Sequence, residues 1–74
     1  MLETLDTIQI DGNKLQSIRE QKGLTQQEVA EQIGVKKATV SNYERGEGKP
    51  SADILMRLFI LYGITQPTSV TKST

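Results

Sequence analysis

Lys36, Lys37, Ala38, Thr39 and, one turn further on, Asn42 stand close together in the chain, and their side chains are of the kinds that read base edges. A lysine ammonium can donate to guanine, an asparagine amide can pair with adenine through two hydrogen bonds, and a threonine or alanine methyl can pack on thymine. Each good contact of this kind discriminates by about 1–3 kcal/mol. Ser41, Arg45 and Lys49 share or follow the same stretch. A hydroxyl, a guanidinium and an ammonium suit phosphate oxygens, which set register without carrying sequence information. On an isolated helix all of these residues would read simply as a solvated face, so their significance depends on what holds them.

Other chemistries are poorly supplied. The chain has no histidine and no cysteine, which removes the commonest general base, the commonest metal ligand and any thiol nucleophile. The acidic residues are Glu3, Asp6, Asp11, Glu20, Glu28, Glu31, Glu44, Glu47 and Asp53. None forms a close pair with an obvious pocket, and Glu28 and Glu31, three apart, suit an exposed helix face. Ser17, Ser41 and Ser51 have no base partner. Gly46 and Gly48 lack the strand and lysine context of a phosphate loop. The chain therefore reads as a non-enzyme with no metal, no cofactor and no small-molecule ligand evident.

The elements that must position the first group are short helices. Asp11-Gly12-Asn13 is a turn signal, and either Asp11 or Asn13 can cap a helix over about 14–22, with Leu15 and Ile18 inward and Gly23 as its stop. Thr25-Gln26-Gln27-Glu28 is a capping box that opens a second helix. Val29, Ala30 and Ile33 are its apolar face and Gly34 ends it. A third helix spans about 37–45 with Val40 and Tyr43 inward and Gly46 after it. Ser51 caps a fourth that reaches about residue 62, before Gly63. The informative unit is the pair of helices inside 26–45. Their joint is about three residues long, carries a glycine where the chain must turn sharply, and has Ala30 where the helices must approach closely. Val29, Ile33, Val35, Val40 and Tyr43 supply the apolar wedge.

The run Leu24-Thr25-Gln26-Gln27-Glu28-Val29-Ala30-Glu31-Gln32-Ile33-Gly34-Val35, followed by Ala38-Thr39-Val40-Ser41-Asn42-Tyr43-Glu44-Arg45-Gly46 and Lys49-Pro50-Ser51, resembles the phage-repressor/Cro-type (XRE-like) helix-turn-helix family over roughly residues 13–65. The resemblance implies an all-α, lambda-repressor-like bundle of four or five helices whose third helix enters the DNA major groove. It implies a transcriptional regulator, repressor-like, with double-stranded DNA as partner and homodimers common. It places Gln26 against the DNA backbone, where a helix N-terminus favours phosphate. It also implies that Arg19 and Glu44 form a partly buried ion pair between the first and third helices.

The chain departs from that pattern in three places. Lys36 stands where a capping Ser or Thr is usual, which weakens the cap and adds a cation. The stretch 54–62 is apolar on more than one face, with Ile54 and Ile60 where relatives tend to be polar; an all-round apolar helix is normally covered by something. Gln66-Pro67 interrupts the expected fifth helix. Either the arm 1–12 (Leu2, Leu5, Ile8 and Ile10, with a short strand over 7–11) covers the fourth helix, or a second subunit does. The sequence favours a homodimer using the fourth helix, the arm or both, with Ile54, Ile60 and Leu61 as the candidate surface. Residues 66–74, rich in Ser and Thr, read as a disordered tail.

Composition bounds the rest. Seventy-four residues make one domain, and nine basic against nine acidic side chains give zero net charge, so any DNA affinity must come from a local basic face. The absence of cysteine fits a reducing cytoplasm. The start Met1-Leu2-Glu3 carries no basic region of a signal peptide, and the stretch 54–62 is too short to span a bilayer. A cytoplasmic protein with no membrane partner is expected. Neutral charge and the apolar fourth helix leave an alternative open: a protein-interaction module on the same fold, of antitoxin, anti-repressor or bridging type.

Overall fold

The structure, a computed structural model, describes residues 10–65 and Val70. Four helices account for most of it: α1 (Gly12–Gln21), α2 (Gln26–Ile33), α3 (Lys37–Arg45) and α4 (Ala52–Tyr62). The bundle is all-α, with the lambda-repressor-like arrangement.

α1, α2 and α4 each start at a local side-chain cap. The Asp11 carboxylate accepts from the Asn13 and Lys14 backbone N–H groups at 2.9 and 3.4 Å, so Asp11, rather than Asn13, is the cap. α1 consequently begins two residues before the expected Lys14 and takes in Gly12, which the sequence assigned to the arm. Thr25 Oγ1 accepts from the Glu28 N–H at 3.0 Å while Glu28 Oε1 accepts from the Thr25 N–H at 2.8 Å. That reciprocal box satisfies two otherwise free donors at the start of α2. Gly34 closes α2 at φ +78°, a left-handed conformation open to glycine at no steric cost. Only Gly34, Val35 and Lys36 separate α2 from α3. Ser51 Oγ accepts from the Ile54 N–H at 3.3 Å and starts α4.

The core is the meeting of the four inner faces. Leu15, Val29, Ala30, Ile33, Val40, Leu58 and Tyr62 form one buried cluster. α3 packs against both α1 and α2, and α4 closes the other side of α2. Ala30 is small where α2 meets its neighbours, and Arg57 Nη1 on α4 donates to the Ile33 carbonyl at the end of α2 at 3.3 Å.

Val70 also belongs to this cluster and is fully buried. Its carbonyl accepts from the Asp11 N–H at 2.6 Å. The expectation of a free tail over 66–74 therefore fails at Val70: an apolar side chain within a Ser/Thr-rich segment still gains by leaving water. The rest of that segment lies outside the described residues. So do residues 7–9 of the expected strand and Leu2, Leu5 and Ile8 of the arm. Ile10 forms a lone β-bridge and packs against the core. No helix among the described residues is long and apolar enough to cross a membrane.

Candidate nucleic-acid interface

α3 buries Val40 and Glu44, and Tyr43 packs half-buried against the core beside them. Ala38, Ser41, Asn42 and Arg45 recur at i, i+3, i+4 and i+7, which puts them on one helical face. Lys36, Lys37 and Ala38 are exposed, Thr39, Ser41 and Asn42 are half-buried, and Arg45 and Lys49 are exposed. The structure thus puts Lys36, Lys37, Ala38, Thr39, Ser41, Asn42 and Arg45 at the start of α3 or along it, whereas Gln26 heads α2 and Lys49 lies in the loop that follows α3. α3 begins without a side-chain cap, because the Lys36 ammonium cannot accept a hydrogen bond. The helix dipole and the two flanking lysines make that end the electropositive pole of the face.

A buried ion pair holds α3 in place. Arg19 on α1 donates through Nε to Glu44 Oε2 at 2.7 Å and through Nη2 to Glu44 Oε1 at 3.1 Å. Its Nη1 donates to the Leu24 carbonyl at 2.8 Å. Side-chain exposures of 11% for Arg19 and 4% for Glu44 mean that neither charge can turn to solvent without moving a helix. The hydrogen bond to Glu44 holds the Arg19 guanidinium above its ordinary pKa, against the opposing effect of burial. Tyr62 sits in the same field. Burial first, and the Glu44 charge second, push its hydroxyl up to about 12.

Gln26 belongs to this network. Its Nε2 donates to Glu44 Oε1 at 3.0 Å, so the side chain at the head of α2 is tied to α3. Arg45 is likewise engaged. Its guanidinium donates to Ser41 Oγ, to Asn42 Oδ1 and to the Glu47 carboxylate.

Sequence reasoning missed two contributors to the site and one at α4. Gly12 read as a turn glycine, yet a Cβ there would lie 2.4 Å from the Glu44 carbonyl oxygen and 2.5 Å from that of Tyr43. The head of α1 rests directly on the C-terminal end of α3. Glu47 stood in the sequence only as one acid among nine, yet the left-handed Gly46 (φ +75°) turns the chain so that Glu47 meets Arg45. At α4, Met56 and Ile60 are 64% and 78% exposed, while Ile54 and Leu61 are half-buried and pack against the core. Of the three residues the sequence suggested, only Ile60 is exposed, and Met56, which it did not suggest, is exposed with it. Gln32, Arg57, Ile60 and Leu61 line a shallow cavity of about 210 Å³ beside them. No group of three or more acidic, His or Cys side chains among the described residues is placed to hold a metal ion.

Comparison with known proteins follows the same outline. A family profile described as helix-turn-helix matches residues 15–67. A protein of Pyrococcus furiosus, described provisionally as an HTH-type transcriptional regulatory protein, is 35% identical over 68 residues, which is 89% of this chain and 22% of that one. The HTH-type transcriptional regulator ImmR of Bacillus subtilis is 37% identical over 54 residues, 73% of this chain and 42% of that one. The chain thus spans less than half the length of either relative. Among solved structures, the restriction-modification controller protein C.AhdI from Aeromonas hydrophila superposes with a TM-score of 0.70 at 29% identity, covering 78% of this chain and 86% of that one.

Proposed function

Because the chain belongs to the XRE-like helix-turn-helix family of transcriptional regulators, which are not enzymes, we propose that it binds duplex DNA sequence-specifically and acts by occupying an operator. α3 lies in the major groove in this reading. Lys36, Lys37, Ala38, Thr39 and Asn42 meet base edges, and Gln26, Ser41, Arg45 and Lys49 meet the phosphate backbone. The observation that carries it is the outer face of α3: an uncapped, lysine-flanked N-terminus on a helix locked to α1 by a buried ion pair. A helix that reads bases must be held at a fixed angle, because a contact misplaced by an ångström loses its hydrogen bond.

The protein is a cytoplasmic, repressor-like regulator in this reading, and it works as a homodimer. Exposed Met56 and Ile60, flanked by the half-buried Ile54 and Leu61, supply the apolar surface for pairing. Net charge is zero, so non-specific affinity is weak and specific contacts carry a large share of the binding.

Selection of bound duplexes from a random pool at moderate salt tests the proposal. Two enriched half-sites about 10 base pairs apart mean a dimeric operator-binding protein, and a single half-site means a reader that acts alone. Absence of any enrichment sinks the DNA reading. The exposed pair on α4 would then favour the second reading, a module whose partner is another protein.

A further inference from the structure

After α4 the chain comes back to the bundle and meets the head of α1. Val70 is fully buried in the core cluster that holds Leu15 and Tyr62, and its carbonyl accepts from the Asp11 N–H at 2.6 Å. Ile10, the residue before Asp11, packs half-buried against the same cluster. The N–H of a residue that caps a helix finds no partner within that helix, so Val70 supplies one that α1 cannot.

Asp11 is the joint through which that contact acts. Its carboxylate accepts from the Asn13 and Lys14 N–H groups, and its carbonyl accepts from the Lys14 and Leu15 N–H groups at 3.1 and 3.2 Å. The first turn of α1 is therefore built on the residue that Val70 holds. Gly12 comes next and lies against the Tyr43 and Glu44 carbonyls. With backbone against backbone, no flexible side chain takes up a shift, so a displacement of the α1 head passes to the end of α3. A cleft of about 120 Å³ lined by Asp11, Gly12, Asn13, Glu44, Arg45 and Gly46 lies beside this contact, which leaves room for the two ends to part. α1 is held to α3 at two points about two turns apart: at Arg19 by the ion pair, and at Gly12 by the seat of Val70. Without the second point, α1 and α3 can pivot about the first.

We propose that Val70 is a positioning residue for DNA reading: seated in the core, it fixes the head of α1 against the end of α3 and so sets the angle at which α3 meets the groove. This rests on the DNA reading above. Val70 is buried and meets neither base nor phosphate; it acts through Asp11 and Gly12. The chain that follows α4 thereby governs DNA affinity without touching DNA.

The test joins amide hydrogen exchange with duplex binding for the unaltered chain, Val70→Ser and Val70→Ile. In the unaltered chain the Asp11 N–H exchanges slowly although it stands outside the hydrogen bonds of α1. Val70→Ser speeds exchange by about tenfold at Asp11 and at Gly46 and Glu47, whose N–H groups donate to the Tyr43 and Asn42 carbonyls at the end of α3. Gly34 and Val35, which donate to the Ala30 carbonyl at the α2–α3 joint, keep their rates. Affinity for the duplex selected with the unaltered chain, read where circular dichroism shows each chain fully folded, falls about tenfold in Val70→Ser, the loss of about one base contact. Val70→Ile, which keeps a branched apolar side chain, restores both readouts. Should Val70→Ser fail to fold, Val70→Ala takes its place with the same outcomes. Rates that rise alike at every amide overturn the proposal, because Val70 then serves overall stability alone. So does an Asp11 N–H that exchanges as in an open chain before any substitution, or an affinity that Val70→Ser leaves unchanged; the DNA reading stands in each case. An unaltered chain that binds no duplex overturns the DNA reading and this proposal together.

Discussion

Replacing Glu44 by Ala is expected to bring the domain close to unfolding, whereas replacing both Glu44 and Arg19 by apolar residues is not. Glu44→Ala removes the acceptor for two Arg19 bonds and one Gln26 bond and leaves the guanidinium with only the Leu24 carbonyl. Arg19 cannot follow its charge into water, because its side chain is 11% exposed. Breaking a buried pair in this way costs about 3–5 kcal/mol. A chain of 74 residues has a total stability of about 4–11 kcal/mol at the usual per-residue values, so the loss is a large part of the whole. In Arg19→Met/Glu44→Leu both charges go, and replacing a buried pair by apolar groups of similar volume is often neutral or stabilising. Gln26, half-buried, can then turn to water. Equilibrium urea unfolding followed by far-ultraviolet circular dichroism at pH 7 reads Glu44→Ala and, as the four corners of a cycle, the unaltered chain, Arg19→Met, Glu44→Leu and their double. With a slope of about 1 kcal/mol/M for so small a domain, Glu44→Ala moves the midpoint down by about 3–5 M, and the coupling between the two sites is at least about 3 kcal/mol. That coupling persists in 1 M salt, since buried pairs are screened far less than surface ones. A double variant as unstable as the sum of its singles, or a Glu44→Ala cost below about 1 kcal/mol, would refute the reasoning, because the pair would then behave as two independent surface charges.

Gly12→Ala destabilises by about 1–3 kcal/mol, because the new methyl meets the Tyr43 and Glu44 backbone oxygens, which cannot swing aside as a side chain can; calorimetry showing the gain usual for Gly→Ala in a helix would rule out the close approach of α1 to α3. Lys36→Ser supplies the acceptor that α3 lacks and raises stability by about 1 kcal/mol. The same change weakens DNA binding and lowers its salt slope by about 1 if Lys36 meets phosphate or base; a lower melting temperature would contradict the capping argument. Tyr62, whose burial pushes its hydroxyl up to about 12, binds its proton more tightly folded than unfolded. Its contribution is complete below the unfolded value near pH 10 and is lost as pH rises from there through 12, about 2–3 kcal/mol in all. Tyr62→Phe should flatten that part of the stability–pH curve, and identical curves for the two chains would show that the hydroxyl is not held in the core.

Much of the fold was legible because it is built from interactions a few residues long. The Thr25–Glu28 box, the Ser51 cap, the glycines after α2, α3 and α4, and the spacing of Val29, Ala30, Ile33 and Val40 all act within a turn or two of the chain. They place α2, α3 and α4 and the three-residue joint between α2 and α3. The absence of His and Cys and the outward Lys36, Lys37 and Asn42 likewise follow from residue type and helical period. Helix α1 was legible less sharply, because Asp11 and Asn13 are equally good caps on local grounds and only the geometry of the chain entering the helix chose Asp11.

What only the tertiary structure decided involves groups far apart in sequence. Val70 is apolar in a polar segment, and no local pattern separates such a residue from a solvated one; its burial depends on the chain returning to Asp11. Gly12 is tight because the end of α3 happens to lie beneath it. Ile54, Leu61, Met56 and Ile60 are equally apolar in composition, and packing against the core half-buries the first two and leaves the last two in water. Local hydrogen bonds and helical period are properties of a short segment, so the amino-acid order determines them directly. Burial and the direction of a polar group are properties of the whole assembled surface, and they exist only once the four helices have met.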